Sequence, residues 1–151
     1  MDGRIIYNKD YKVLICLQHQ CAIPTGWLER HFRAEHGDCA LITRREIIQE
    51  AAKLETVGPE QIIYTNTPVP PVLHLKSFMG YRCNYEDCGE ITGTIGTITL
   101  HCRRNHSWTS KKDLGWTEVP FQTLFQGNHK RYNNTVLILT VVISKSPKGI
   151  R

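Results

Sequence analysis

Cysteine and histidine recur in this chain in one spacing pattern that occurs twice. The first copy holds Cys16, His19, Cys21, His31 and His36, and the second holds Cys83, Cys88, His101 and His106. Two soft donors on a tight turn, followed by two histidines at helical spacing, supply the tetrahedral ligand set that structural Zn²⁺ requires. The pattern therefore predicts two zinc ions per chain and a fold that depends on them.

The second copy gives the clearer ligand set. Its spacing is Cys-x4-Cys-x12-His-x4-His, and its members are Cys83, Cys88, His101 and His106. A short hairpin can present both thiolates, and the two imidazoles share one face of a helix predicted over residues 94–106. Cys102 points to a different face of that helix, so we expect a small core residue or a surface thiol there.

The first copy leaves one ligand open, because it offers five donors for four positions. Ligation by Cys21 repeats the spacing of the second copy, but it leaves only nine residues before His31. Ligation by His19 gives Cys-x2-His-x11-His-x4-His, which is close to the usual loop of a finger, although cysteine is the commoner ligand type. Loop geometry favours His19 with Cys21 as the alternative, and Cys39 is expected to take no part.

Apolar spacing and turn residues divide the chain into four predicted segments. Residues 1–42 form a first zinc finger, 43–71 a helix and Pro-rich connector, 72–112 a second zinc finger, and 113–151 C-terminal strands with a basic tail. Helices are expected over 25–36, over 43–54 from the capping box Thr43-Arg44-Arg45-Glu46, and over 94–106. The predicted fold class is α+β, with two small ββα-type zinc-finger units joined by a helical linker and a C-terminal β-hairpin within 119–143.

The position of the first zinc histidine in each predicted helix also identifies the side chains that would face DNA bases. In a ββα finger these lie one, four and seven residues before the first zinc histidine. They are Pro24, Trp27 and Arg30 in the first helix and Thr94, Thr97 and Leu100 in the second. Only Arg30 has the fork geometry that suits guanine, so sequence-specific reading is not expected. Leu28 and Ile98, three residues before those histidines, should be core residues.

The net charge of +5 over 151 residues is compatible with a nucleic acid partner but does not require one. Basic side chains suited to phosphate contact lie along the two helices and just after the second: Arg30, Arg33, Arg103, Arg104, Lys111 and Lys112. The simpler interpretation of scattered arginine and lysine is a charged surface that contacts only solvent. Tryptophan beside such residues, at Trp27 and Trp108, can stack on unpaired bases or anchor a protein, although tryptophan is usually core.

Several segments resemble the fungal OrsD-like domain family, named for a protein of an orsellinic acid gene cluster. The resemblance is carried by residues 14–23, 28–36, 80–83, 101–106 and 119–125. It spans about 11–125 and implies a fungal protein with a divergent pair of Cys2His2-like fingers. Neither copy has the Cys-x2-Cys of an ordinary finger, and the resemblance says little about a partner.

These patterns predict a non-catalytic zinc-binding module in the nucleus. It would contact nucleic acid through phosphates without strong sequence readout, or act in chromatin-associated assembly, and a protein partner is expected. The alternative is a protein–protein interaction module with no nucleic acid partner. Catalysis is not expected, because four protein ligands leave no open position on either metal. No small-molecule substrate is expected. No membrane partner is expected either, because the longest apolar run, 135–143, is too short to cross a bilayer.

Overall fold

The chain folds into two compact units in a computed structural model that describes residues 3–62, 70–109, 114–126 and the backbone of 139–140. The first unit comprises Met1–Tyr64, Leu73–Lys76 and Thr123–Leu137, and the second comprises Thr65–Val72, Ser77–Gln122 and Ile138–Arg151. In the described part of the chain, every helix is too short or too polar to span a bilayer.

The first unit is a three-stranded antiparallel sheet with two helices. Its elements are β1 (Ile5–Asn8), β2 (Val13–Cys16), β3 (Cys21–Ile23), α1 (Leu28–Glu35) and α2 (Leu41–Ala51), and the sheet order is β1-β2-β3. All four residues of β2 are buried, as expected for the central strand. Side chains from both helices complete this core, among them Leu28, Phe32, Ile47 and Ala51.

Helix α1 is shorter than the predicted 25–36. Gly26 takes a left-handed conformation with φ of +78°, and the Trp27 N–H donates to the Pro24 carbonyl at 2.9 Å, which closes a turn before the helix. A right-handed helix cannot run through that backbone, so α1 begins at Leu28. Leu28 is buried, as predicted from the position of the first zinc histidine.

The predicted start of α2 at the capping box is wrong. The helix begins at Leu41, and the Arg44 N–H already donates to the Ala40 carbonyl at 2.9 Å. Thr43 therefore lies inside the first turn, and the helix start has no side-chain capping bond. Ile47 and Ala51 place α2 against the core of the first unit.

A later segment covers the outer edge of β3. The Ala22 N–H donates to the Leu124 carbonyl at 2.7 Å, and Ala22 forms a parallel bridge with Phe125. Leu124 and Phe125 are both buried. Residues more than a hundred positions apart in sequence therefore share this sheet edge, which no local pattern predicted.

The second unit repeats the ββα arrangement and adds two strands. Its elements are β4 (Ser77–Cys83), β5 (Ile91–Thr92), α3 (Ile95–His106), β6 (Trp116–Gln122) and β7 (Leu139–Thr140), and the antiparallel sheet has the order β5-β4-β6-β7. Thr94 caps α3 by accepting from the Thr97 N–H at 3.2 Å. The α+β fold with two ββα units is confirmed, and β6 pairs with β7 as the predicted hairpin requires. Most of the predicted strand within 136–143 lies outside the described residues.

Gly80 permits the close packing of this sheet. A Cβ atom there would lie 2.5 Å from the Thr92 carbonyl oxygen and 2.6 Å from the Phe121 ring. These distances are far inside van der Waals contact, so the sheet requires glycine at that point of β4.

Candidate metal centres

Four side chains of the first unit bring their donor atoms together. Cys16 ends β2, His19 lies in the β2–β3 turn, His31 is in α1 and His36 follows it directly. The Cys16 Sγ lies 3.3 Å from His19 Nδ1 and 3.3 Å from His36 Nε2, and His36 Nε2 lies 3.2 Å from His31 Nε2. All four donor atoms lie within 4.8 Å of one another.

The second unit holds an equivalent cluster. Cys83 ends β4, Cys88 lies in the β4–β5 turn, and His101 and His106 come from α3. The Cys88 Sγ lies 3.1 Å from His101 Nε2, which lies 3.3 Å from His106 Nε2, and the four donor atoms are again within 4.8 Å of one another. The Tyr85 ring stacks on His106 with centroids 4.3 Å apart and holds that imidazole in place.

The distances between the donor atoms fit ligation of one shared cation in each cluster. Two ligands of one tetrahedral zinc, at about 2.3 Å for sulfur and about 2.0 Å for nitrogen, are roughly 3.3–3.8 Å apart. A ring nitrogen carries either one lone pair or one proton in the ring plane, so His36 Nε2 cannot hydrogen-bond to both of its neighbours at once. A metal ion at the centre would satisfy all the donors together. Each cluster can therefore bind a metal ion.

Each ligand turn has a residue in the left-handed conformation directly before a cysteine. Gln20, with φ of 52°, precedes Cys21, and Asp87, with φ of 60°, precedes Cys88. The turns differ in length, because Cys16 pairs with Cys21 in the first unit, whereas Arg82 pairs with Ile91 in the second. The second unit takes its donor from Cys88, after the left-handed residue, whereas the first takes it from His19, before that residue.

Cys21 lies beside the first cluster but is not a member of it. It is the cross-strand partner of Cys16 and is half-buried. Burial raises the pKa of the Cys21 thiol to about 11, and the charges of Cys16 and Glu35 add to the shift. The His19 Nδ1, 3.3 Å from Cys16 Sγ, takes the remaining place in the donor group.

Two residues outside the donor sets orient ligand rings. The carboxylate of Glu35 lies 3.7 Å from His19 Nε2, and the side-chain amide of Asn105 lies 2.9 Å from His101 Nδ1. The Asn105 atom at this distance is Nδ2. When His101 ligates through Nε2, its Nδ1–H needs an acceptor, which the Asn105 amide supplies when it turns its oxygen to the ring. Neither residue was predicted from the sequence. Asn105 could have been, because residues four apart on a helix, such as His101 and Asn105, are neighbours on its surface.

Burial sets the protonation of several donors. The pKa of His31 is lowered to about 4, first by burial and then by the nearby His36 and His19, and burial also lowers the pKa of His36. Both rings are therefore neutral at pH 7, which is the form that binds metal. Burial raises the pKa of the Cys83 and Cys88 thiols, so metal binding there must displace their protons.

The remaining cysteines are core residues. Cys102 is fully buried, with its Sγ 3.9 Å from Cys83 Sγ and 3.5 Å from the Gly115 carbonyl oxygen, and Cys39 belongs to the core of the first unit. All six cysteines of the chain are free.

The predicted phosphate-contacting residues lie at the surface where the structure describes them. Arg30 is exposed over the Trp27 ring, 4.7 Å from its centroid, and Arg33 forms an ion pair with Glu29. Arg103 is 6.0 Å from the Trp108 ring centroid, and Arg104 is exposed. Lys111 and Lys112 lie outside the described residues.

The fold and the donor sets define a protein with two ββα units, each carrying a Cys/His cluster able to bind a metal ion. The chain belongs to the OrsD family: a family model described as "Orsellinic acid/F9775 biosynthesis cluster protein D" matches residues 4–107. That range includes every donor of both clusters, and it confirms the resemblance found in the sequence. No curated protein and no solved structure matches the chain.

The choice between His19 and Cys21 can be tested by counting metal ions. We expect His19→Ala to lower the zinc content of purified protein from two ions per chain to one, because Nδ1 supplies a donor. Cys21→Ala removes a neighbouring thiol outside the donor group and should retain both ions. Elemental analysis of the two variants makes the comparison, and loss of one ion from Cys21→Ala alone would assign the ligand to Cys21.

Proposed function

We propose that this protein is a non-catalytic zinc-binding module of the nucleus. The observation that supports it is the convergence of one cysteine-rich turn and one helix in each unit on four mutually close donor atoms. Mixed thiolate and imidazole donors suit Zn²⁺, whereas Mg²⁺ and Ca²⁺ prefer oxygen. Four protein ligands fill a tetrahedral zinc, so each site would be structural, with no position left for substrate or water.

We further propose that the module contacts nucleic acid mainly through phosphates. Exposed arginines lie on both metal-site helices, at Arg30 on α1 and at Arg103 and Arg104 on α3. Within the described part of the chain, these three side chains have no carboxylate at ion-pair distance, so their charge is available to a phosphate. The base-facing positions Pro24 and Leu100 offer no side-chain hydrogen bonds, which favours binding without strong sequence readout.

An alternative function is protein–protein interaction without nucleic acid. It is favoured by large apolar side chains left exposed on two helices. Leu41 and Ile42 are adjacent at the start of α2, and Ile95 and Leu100 lie on α3. A chromatin-associated assembly would use both kinds of surface, and a protein partner on these apolar positions is compatible with phosphate contact elsewhere.

Salt dependence of binding separates the two functions. We expect the intact, zinc-loaded protein to bind labelled duplex or single-stranded DNA with an affinity that falls steeply with salt, because each neutralised phosphate releases counterions. The double variant Arg103→Gln/Arg104→Gln should weaken binding and make the logarithmic salt slope shallower by about one for each phosphate that is no longer neutralised. Arg45→Gln/Lys53→Gln also removes two exposed positive charges, from α2 and the turn after it, and is the matched control. Absence of binding at low salt would leave only the protein-interaction function.

A further inference from the structure

A groove of about 460 Å³ lies on the first unit, beside the metal cluster. Its apolar wall includes Ile23, Pro24 and Trp27, and its polar lining includes Arg30, Glu35 and Gln126. This volume falls within the range of clefts that hold small ligands or single chemical groups of a polymer. The residues come from β3, the turn after it, α1 and the segment that covers the β3 edge, so the groove is built by the fold of one unit.

Trp27 and Arg30 lie one over the other at this groove. The Arg30 guanidinium lies over the indole at 4.7 Å from the ring centroid, and the Trp27 side chain is 39% exposed. Both groups are planar, and both stack on nucleobases in proteins that bind single strands. The charge of Arg30 has no carboxylate partner among the described residues, which suits an anionic ligand.

The polar lining can complete the recognition of a base. Glu35 can accept a hydrogen bond from a ring N–H, such as that of thymine, or from an exocyclic amino group, and the Gln126 amide can both donate and accept. Glu35 is about half exposed and lies 3.7 Å from His19 Nε2, so it connects the groove to the metal cluster. The lining of the groove therefore offers both hydrogen bonds and a stacking surface.

We propose that this groove holds one unpaired base of a single-stranded nucleic acid, stacked on the Trp27 and Arg30 pair, with the Arg30 charge facing the adjacent phosphate. The inference rests on the proposed nucleic acid function and narrows it to single strands. A base inside a duplex has both faces covered by its neighbours, so it cannot enter such a groove. Proline-rich peptides also dock in aromatic grooves, but they supply no anion for Arg30.

The test compares single strands with duplexes at fixed salt. Fluorescence anisotropy would measure binding of the zinc-loaded full chain to a labelled oligothymidine and to a duplex of equal length. We expect Trp27→Ala to weaken single-strand binding by roughly five-fold to a hundredfold, the range for removal of one stacked aromatic ring, and to change duplex binding less than two-fold. Trp27→Phe keeps an aromatic face and should restore most of the single-strand affinity.

A second variant covers the case in which Trp27→Ala disturbs the fold. Arg30→Gln should weaken single-strand binding and make its salt slope shallower by about one, with the zinc content unchanged. Equal effects of Trp27→Ala on single strands and duplexes, or no effect on either, would overturn the groove assignment while leaving phosphate binding intact. Failure of the wild-type protein to bind any nucleic acid would overturn the proposed function as well. Displacement of the oligothymidine by a proline-rich peptide would assign the groove to peptides.

Discussion

Removing the bound metal with a chelator is expected to unfold the second unit and to detach α1 from the first. The core beside the second cluster has three buried residues, Cys83, Ile98 and Cys102, and one of them is itself a donor. Structural zinc contributes an apparent ~10–16 kcal/mol in finger peptides, which matches or exceeds the whole stability of a small domain at about 5–15 kcal/mol. The only other buried cluster of this unit among the described residues consists of Ile91 and Phe121, and two clusters this small cannot replace that contribution.

The first unit should lose less structure, because its core is larger. Its cluster has nine buried residues, among them Ile5, Leu14, Ile47 and Ala51, and only one of the nine, Cys16, is a donor, so the β1–β2 pair and α2 can persist. Hydrogen exchange before and after chelation would resolve the difference between the two units. Adding back Zn²⁺ should restore protection, and adding Mg²⁺ should not, because it prefers oxygen ligands. Unchanged protection of α3 after complete metal removal would contradict the structural role of the metal.

Acidification from pH 7 to pH 4 is expected to destabilise the first unit and to release its metal. The folded chain holds the pKa of His31 near 4, below its ordinary value of 6.5, and lowers that of His36 as well. Between pH 6.5 and 4 the unfolded chain therefore binds more protons than the folded chain. Stability is fully present above pH 6.5 and is lost as the pH falls toward 4. Protons also compete with the metal for the same nitrogens, which acts in the same direction.

Urea denaturation at several pH values, with a zinc-sensitive dye in the same sample, would measure both changes. The midpoint should fall most steeply between pH 6.5 and 4, and dye response should rise over the same interval. A chelator-treated sample, taken through the same pH series, controls for acid effects unrelated to the metal. A midpoint that stays constant from pH 7 to pH 4 would show that the histidines are not buried neutral ligands.

The local patterns of the sequence were enough to predict the helices and the donor groups. Histidines five residues apart are about 140° apart around an ideal helix. The second histidine meets the first because it lies at the helix end: His36 follows α1, and His106 is the last residue of α3. Leu28 and Ile98 had to be apolar because their side of the helix faces the core. The preference for His19 over Cys21 came from loop length alone. The structure places His19 in the donor group.

Longer-range features had no local signal. Strand β1 pairs with β2 from Ile5 opposite Cys16 to Asn8 opposite Val13, and this strand was not predicted from the sequence. The start of α2 was misplaced because Thr43 and Glu46 satisfy a capping pattern that the backbone does not use. The residue at which a helix begins depends on the backbone conformation before it, here the extended Ala40. A four-residue motif does not contain that information.

The edge of β3 has a practical consequence for anyone shortening this polypeptide. The family match ends at residue 107, but the strand partner of Ala22 is supplied by Leu124 and Phe125. A truncation at the family boundary would leave unpaired amides on a short apolar strand, a surface that invites self-association. The smallest autonomous piece of the first unit therefore extends at least to Phe125.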